Sequence, residues 1–539
     1  MKNKFFMSLA GGLLLLTGCT DLNVDVDSLY TKYPNNDIAV EAKMADVYYQ
    51  LRGCFGRRYM EAQELSSDEY TAVSYGGGWY DNGAYAHPSL HAYTKDDATI
   101  DWMGELMSGC TKANTVIRDL TNDGADEKYI ARARAMRAFF EFVMMDCWGD
   151  APIMDHIVTK DEVLERSPRA KVAEFIESEL KDIIPLLTDE VSANTYGKPT
   201  KWMAEALLVK LYINWPVYTA ASVDQYDAAT AKNEKLDECI KYCDDIINSK
   251  KFNLGSVPYR KKFSFDNGYK IEDFIYALPY DTYTATGMQY GRAITWKQAK
   301  DVAKSYYGMK LHNSAGGYMT MTPECAALFN LPGDERNQLI LRDTVHVYDP
   351  TTQLPTKEVA LDKKGNPIVL TSSITLKTQD EHLDVGDNAN GYNQGNRNVK
   401  FYVTDDDYKN GRNQSNDLPI FRYADILLEK AEAITRGGKA TNGDTPQSLF
   451  NQIRSYVKAP TIDHNPSLKE ILDERGREFL GENWRRNDMI RFGTFEGQFF
   501  PHYTGFPTAN FDKTRRIFPV HKDILNVNPT WKQNPGYNQ

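Results

Sequence analysis

The segment Tyr75-Gly76-Gly77-Gly78-Trp79-Tyr80-Asp81-Asn82-Gly83, shortly after Ser66-Ser67-Asp68-Glu69, carries residue types that can hold a sugar. Glycine loses the most backbone entropy on ordering and has no side chain to pack, so three in a row exclude a helix or strand interior. The loop is expected to present its aromatics. A sugar ring offers axial C–H bonds to an aromatic face such as Trp79, Tyr80 or Tyr75, while Asp68, Asp81 and Asn82 can bond its hydroxyls. The competing reading of the same residues is a Trp79 that plugs the core from a loop. A second aromatic patch, Tyr283, Tyr290 and Trp296, offers the same stacking chemistry or, alternatively, an ordinary packed hairpin or helix.

Other chemistry finds little support. There is no Gly-x-Ser-x-Gly elbow, no His-Glu-x-x-His, no phosphate-cradling glycine loop and no dinucleotide fingerprint, so neither catalysis nor a cofactor is expected. Asp387-Asn388-Ala389-Asn390-Gly391 resembles a calcium loop only until alanine takes the third position, and no Glu closes it at position twelve. Asp405-Asp406-Asp407 reads as a solvated loop, and no metal site is expected. Lys and Arg total 63 against 74 for Asp and Glu, a formal charge of −11, which disfavours nucleic acid as a partner. Excess acid also disfavours a strongly sulfated ligand, unless a local basic cleft overrides net charge.

The elements that must position the loop are mostly helical. Ile130, Ala133, Met136, Phe140, Val143 and Cys147 recur at spacings of three and four, an apolar stripe on a helix over 129–147 that Trp148-Gly149-Asp150-Ala151-Pro152 stops. Ser167-Pro168 is expected to start a second helix as N-cap and first-turn proline. Further helices are expected over 200–218, 236–249, 423–435, 445–457 and 467–480. Helix pairs with one apolar face each are how tetratricopeptide-type solenoids are built. Between 252 and 419 the composition turns to Gly, Asn, Asp, Thr and Tyr, a loop-rich binding lobe in which 263–269 reads as an Asn-Gly hairpin.

The N-terminus carries an address. Lys2 and Lys4 precede an apolar run from Phe5 to Leu16 that is too short to span a bilayer, which needs about 20 apolar residues. It ends Leu16-Thr17-Gly18-Cys19, which looks like a bacterial lipoprotein cleavage box with Cys19 as the acylated residue. Two or three acyl chains anchor a protein essentially permanently at about 0.8 kcal/mol per buried CH₂. The six remaining cysteines, Cys54, Cys110, Cys147, Cys239, Cys243 and Cys325, are too sparse for a disulfide scaffold and are expected to be buried thiols.

Four ordered motifs resemble the SusD/RagB family of outer-membrane nutrient-binding lipoproteins of Bacteroidota. The first runs from Ala133-Arg134-Ala135-Met136-Arg137-Ala138-Phe139-Phe140 to Trp148-Gly149-Asp150-Ala151-Pro152; the second is Leu418-Pro419-Ile420-Phe421-Arg422-Tyr423-Ala424-Asp425-Ile426-Leu427-Leu428. The third runs from Ile471-Leu472-Asp473-Glu474-Arg475 to Trp484-Arg485-Arg486-Asn487-Asp488-Met489-Ile490-Arg491, and Phe518-Pro519-Val520 with Gln533-Asn534-Pro535-Gly536-Tyr537 closes the chain. The resemblance implies a mostly α body of tetratricopeptide-like helix pairs supporting an irregular, loop-rich binding lobe with short hairpins. It implies a non-catalytic, cell-surface glycan-binding protein, lipid-anchored in the outer membrane, that delivers oligosaccharides or polysaccharides to a SusC-like TonB-dependent transporter. Oligopeptides are the alternative cargo. Trp79, Tyr80 and Asp81 look like the sugar-stacking loop of glycan-binding members, and Tyr290 and Trp296 correspond in approximate position only to their later aromatic loop. The expected organisation is a signal peptide over 1–18, a lipidated tether over 19–40, a helical region with the binding loop over 41–251, the loop-rich lobe over 252–419 and a C-terminal helical region over 420–539. Residues 19–539 are expected to form one compact unit.

Overall fold

A computed structural model of the chain describes residues 37–538 apart from 77, 256, 299, 301, 315, 378–379, 381, 498–502, 505–506 and 508. The cleavage box, Cys19 and the tether to residue 36 lie outside the described residues. Helix α1 (Asp37–Tyr48) begins inside the segment expected as tether, because Val40, Met44 and Val47 are fully buried in the core. Among the described residues no helix is long and apolar enough to cross a membrane.

The body is built from helix pairs. After α2 (Arg58–Leu65), α3 (Met103–Asn122) and α4 (Glu127–Trp148) are joined by a four-residue turn over 123–126 and pack along their length. Asp126 caps α4 by accepting from the Lys128 N–H, and Gly149 at φ +76° ends it, donating its N–H to the Met145 carbonyl. Helix α5 (Arg169–Ile183) packs on α4, and its Glu179 accepts from both Arg134 and Arg137. Ser167 does not cap it. Its backbone exchanges hydrogen bonds with Ala151 across the chain reversal, and Pro168 occupies the cap position. The expected helix over 200–218 is broken at Asn214, ahead of Pro216, so that α6 (Lys201–Ile213) is followed by a separate short turn of helix.

Helix α7 (Leu236–Ser249) packs between α6 and the C-terminal helices, so the two ends of the chain share one core. A one-turn helix α8 (Tyr290–Ile294) lies inside the loop-rich lobe. The C-terminal region supplies α9 (Tyr423–Thr435), α10 (Pro446–Tyr456), α11 (Leu468–Glu478) and α12 (Arg485–Phe492). Thr445 and Ser467 close capping boxes at the starts of α10 and α11. The result is the expected mostly helical, tetratricopeptide-like body.

Strands are short and paired in twos. β1 (Tyr70–Ala72) runs antiparallel to β3 (Met319–Met321), and β2 (Phe274–Leu278) antiparallel to β4 (Leu418–Arg422). The first pair matters for function, because it carries the chain into the glycine-rich loop on one side and out of Tyr318 on the other. The loop-rich lobe has its own small core around Tyr306, Tyr307, Val347, Ile368 and Tyr402. The hairpin expected over 263–269 is absent: the Asn267 side chain donates to the Lys262 and Asp417 carbonyls and accepts from the Asp417 N–H, which fixes the loop to the start of β4. Asp407, expected in a solvated loop, is buried, accepts from Ser415 and the Thr404 N–H, and is pushed up to about 6 by burial. All six cysteines among the described residues are buried free thiols.

Motif charges hold the C-terminal helices together. Arg422 donates to Asp273 (2.7 Å), Glu478 (2.8 Å) and Glu482 (2.7 Å), and every partner is almost wholly buried. Arg475 links Asp425 to Asp488, and Arg491 links Asp488 to Glu432. Burial would raise the Asp273 carboxyl, but Lys262 and Arg422 outweigh it and hold the group down at about 2.

Candidate functional site

The glycine-rich loop is anchored at both ends and strained in the middle. Val73 and Ser74 continue the β1 pairing by donating to the Tyr318 and Leu383 carbonyls (3.1 and 3.0 Å). Tyr75 and Gly78 then exchange two backbone hydrogen bonds of 3.1 Å across a tight turn. Gly76 needs to be glycine: φ is +59°, and a Cβ there would lie 2.7 Å from the Asp387 Cβ. Trp79 (φ +69°) and Asp81 (φ +46°) occupy the left-handed region without being glycine, which costs about 1–3 kcal/mol each. Such strain persists only where surrounding contacts impose it.

Those contacts are aromatic. The Trp79 ring stacks on Tyr318 with centroids 4.4 Å apart and planes 18° apart, and meets the edge of Tyr85 at 5.9 Å. A Cβ on Gly316 would come within 3.1 Å of the indole, a contact that would press the ring aside by a few tenths of an ångström. The indole is half-buried: packed on its supports, but not sealed in the core. Tyr80, also half-buried, stacks on His382 at 4.1 Å. Asp81 is exposed beside them, and the side chain of Asn82 lies outside what the structure describes. Together Trp79 and Tyr80 form an aromatic ledge with an adjacent exposed carboxylate.

Beside the ledge opens a cavity of about 330 Å³ whose lining includes Trp296, Lys297, Pro367, Asp387, Asn388 and Tyr392. Trp296 is held edge-in by a 3.0 Å hydrogen bond from its Nε1 to Asn393 Oδ1. The two regions share walls. Tyr75 packs on Tyr392 with centroids 4.6 Å apart, and the Lys297 ammonium lies 4.3 Å from the Tyr392 ring centroid and 5.2 Å from that of Tyr75. The Gly316 and Gly317 N–H groups both donate to the Arg292 carbonyl, and Gly317 accepts from the Tyr75 hydroxyl at 2.9 Å. Residues 75–81, 292–297, 316–318 and 382–393 thus meet in one place.

Three sequence-based assignments are corrected. Tyr290 is fully buried, donates its hydroxyl to the Phe55 carbonyl and accepts from Asn483, so its ring is a core element of α8. Asp68 receives Arg485 in a two-pronged pair (2.6 and 2.8 Å) and is engaged by the third motif. Tyr75 is buried beneath the ledge, its hydroxyl also accepting from Arg397 at 2.8 Å, and acts as a support. Tyr283 is exposed, but stands on a separate turn bonded to Asn410 through the Thr282 carbonyl. Sequence reasoning missed Tyr318, Tyr392, His382, Arg292 and Lys297. One signal was present: Gly316-Gly317-Tyr318 repeats the Gly-Gly-aromatic pattern of Gly77-Gly78-Trp79.

Comparison with known proteins agrees with this architecture. A family model described as the SusD family matches residues 368–537, and one described as starch-binding associating with outer membrane matches residues 22–213. The starch-binding protein SusD of Bacteroides thetaiotaomicron is 23% identical over 510 residues, covering 90% of this chain and 86% of the relative. Among solved structures, a SusD homolog from Bacteroides thetaiotaomicron superposes with a TM-score of 0.72 at 18% identity, covering 94% of this chain and 98% of that one. Surface glycan-binding protein A from the same organism, in complex with laminarihexaose, gives 0.67 at 19% identity, covering 92% and 99%.

Proposed function

The chain belongs to the SusD/RagB family, and from that premise we propose that it is a non-catalytic glycan-binding lipoprotein of the cell surface. It captures oligosaccharides or polysaccharides on the Trp79–Tyr80 ledge and the neighbouring Trp296 cavity. It passes them to a SusC-like TonB-dependent transporter in the outer membrane, to which Cys19 tethers it by acyl chains. The observation that carries this reading is Trp79, a half-buried tryptophan held at positive φ on a stacked tyrosine. A side chain needed only for the core would not require a strained backbone at the rim of a cavity. The relatives named as starch-binding and as a complex with laminarihexaose support the same ligand class.

Stacking plus a few hydroxyl contacts on an open ledge buries little area, so affinity is expected at about 10⁻⁶ to 10⁻³ M. Delivery tolerates that, since release is part of it. An oligosaccharide panel read by calorimetry tests the ligand class. Saturable binding of a sugar supports the reading, whereas no sugar bound together with co-purifying peptide redirects it to oligopeptides. Labelling of cells with a tagged fatty acid, lost in Cys19→Ala, checks the anchor, and co-purification of a barrel protein from detergent extracts checks the partner.

A further inference from the structure

Among the described residues Arg292 is a buried charge with little to balance it. It is 6% exposed, yet it pairs with no carboxylate among the described residues, and its Nε has no hydrogen-bond partner. Burial lowers its pKa, and the charges of Arg412 and Arg57, cations themselves, push the same way. Its guanidinium carbon lies 5.4 Å from the Trp79 ring centroid. A buried charge without a counter-ion costs several kcal/mol, which a fold retains when something else supplies the opposite charge.

The surroundings are short of acid. Glu61, fully buried beneath the ledge, accepts from Arg57 (2.8 Å), from Arg58 (2.9 Å) and from the Tyr318 hydroxyl, so one carboxylate already serves two guanidiniums. Lys297, on the cavity wall, lies over Tyr392 and Tyr75 with no carboxylate partner among the described residues. Asp384 accepts from the Gly76 and Gly386 N–H groups, while Asp81 and Asp387 are exposed to water at the rim. Among the described residues the ledge therefore has three guanidiniums, Arg57, Arg58 and Arg292, over the one carboxylate of Glu61, while the carboxylates of Asp81 and Asp387 are at its exposed rim. A guanidinium presents its donors as a planar fork that fits a carboxylate or sulfate with two hydrogen bonds.

We infer that the glycan taken by this site carries an anionic substituent, a uronate carboxylate or a sulfate ester, which Arg292 receives beside the stacked ring, with Lys297 reinforcing it. The inference rests on the Trp79 ledge being a carbohydrate site. Charged hydrogen bonds of this kind are worth about 10- to 100-fold in affinity, and the advantage shrinks as salt rises.

The test is calorimetry of the purified protein with oligogalacturonides, sulfated carrageenan oligosaccharides, and neutral malto- and laminari-oligosaccharides of matched length, at two salt concentrations. The expected result is at least tenfold tighter binding of one acidic series, weakening with salt, and loss of both that preference and its salt dependence in Arg292→Met. The series that binds distinguishes carboxylate from sulfate. Should Arg292→Met not fold, Lys297→Met, at a half-buried position, is expected to lower the preference several-fold, and the salt dependence of the unaltered protein stands by itself. Neutral sugars bound as tightly as acidic ones would overturn the inference while leaving the glycan reading intact. A folded protein that binds none of these sugars sinks both.

Discussion

Replacing Trp79 by alanine separates a ligand-stacking indole from a core plug, because the two roles predict different sizes of effect in two assays. The structure sets the stability side. Truncation removes the Tyr318 stack at 4.4 Å and the Tyr85 edge contact at 5.9 Å, each worth about 0.5–1.5 kcal/mol, for a loss of about 1–3 kcal/mol. Unfolding entropy of about 2.1 cal/mol/K per residue gives roughly 1 kcal/mol/K for a chain of this size, so Tm falls by about 1–3 °C. Binding should suffer more: removing a central aromatic anchor costs about 2 kcal/mol or more, close to a 30-fold weaker Kd in titration calorimetry. The backbone adds an internal control. At φ +69° glycine is favoured over alanine, so Trp79→Gly should be about 1 kcal/mol more stable than Trp79→Ala, the reverse of the order in regular structure. An unchanged Kd in Trp79→Ala refutes the stacking assignment. A drop in Tm beyond about 5 °C shows a core plug, and a less stable glycine variant removes the strain argument.

Asp68→Asn should leave sugar affinity unchanged but cost about 2–4 kcal/mol of stability in thermal or denaturant unfolding, because it strips the two-pronged partner from the buried Arg485. Glu64 and Glu69 are buried side by side; burial pushes Glu64 up to about 7 and raises Glu69 well above the usual carboxylate range, the Glu64 carboxyl adding to the rise at Glu69. Both therefore hold protons in the fold that the unfolded chain releases above about 4.3, so stability falls as pH rises through the interval from there to about 7 and beyond. Glu69→Gln, which keeps an acceptor for the Gly481 N–H and needs no proton, should gain about 1–2 kcal/mol at pH 8 and almost nothing at pH 5 in melts. The six buried thiols should resist a thiol-titrating reagent in the native protein and react in denaturant, with burial raising thiols such as Cys147 and Cys325.

The helices were legible because their signals are local. The stripe from Ile130 to Cys147, Gly149 as a stop, and Thr445 and Ser467 as caps each act within one or two turns, and the structure places α4, α7, α9, α10 and α11 within two residues of the expected bounds. Misses came where a distant partner decided. Ser167 bonds to Ala151 in place of capping α5, and Asn267 reaches Asp417, 150 residues away, in place of turning a hairpin. Within the site, the glycines marked the loop, but its supports come from far along the chain: Tyr318 is 239 positions beyond Trp79, and His382 and Tyr392 lie later still. No spacing rule links them. Asp68 and Tyr290 drew attention by type and position alone, and their true partners, Arg485 and Asn483, belong to the third motif and the turn leading into it.

Net charge says little about the site for a related reason. A total of −11 sums groups that never face the ligand, and most motif carboxylates, Glu478, Glu482, Asp488 and Glu432 among them, are already neutralised in the core by Arg422, Arg475 and Arg491. What a ligand meets is the local remainder. Beside the ledge that remainder is Arg292, buried and without a carboxylate among the described residues, together with Arg57 and Arg58 sharing one Glu61. In a medium where a charge pair interacts several times more strongly than in water, one such unbalanced guanidinium outweighs several solvated aspartates at the rim. A chain acidic overall can thus hold a cationic site, and the sign of that site is set by the pairing of individual buried groups.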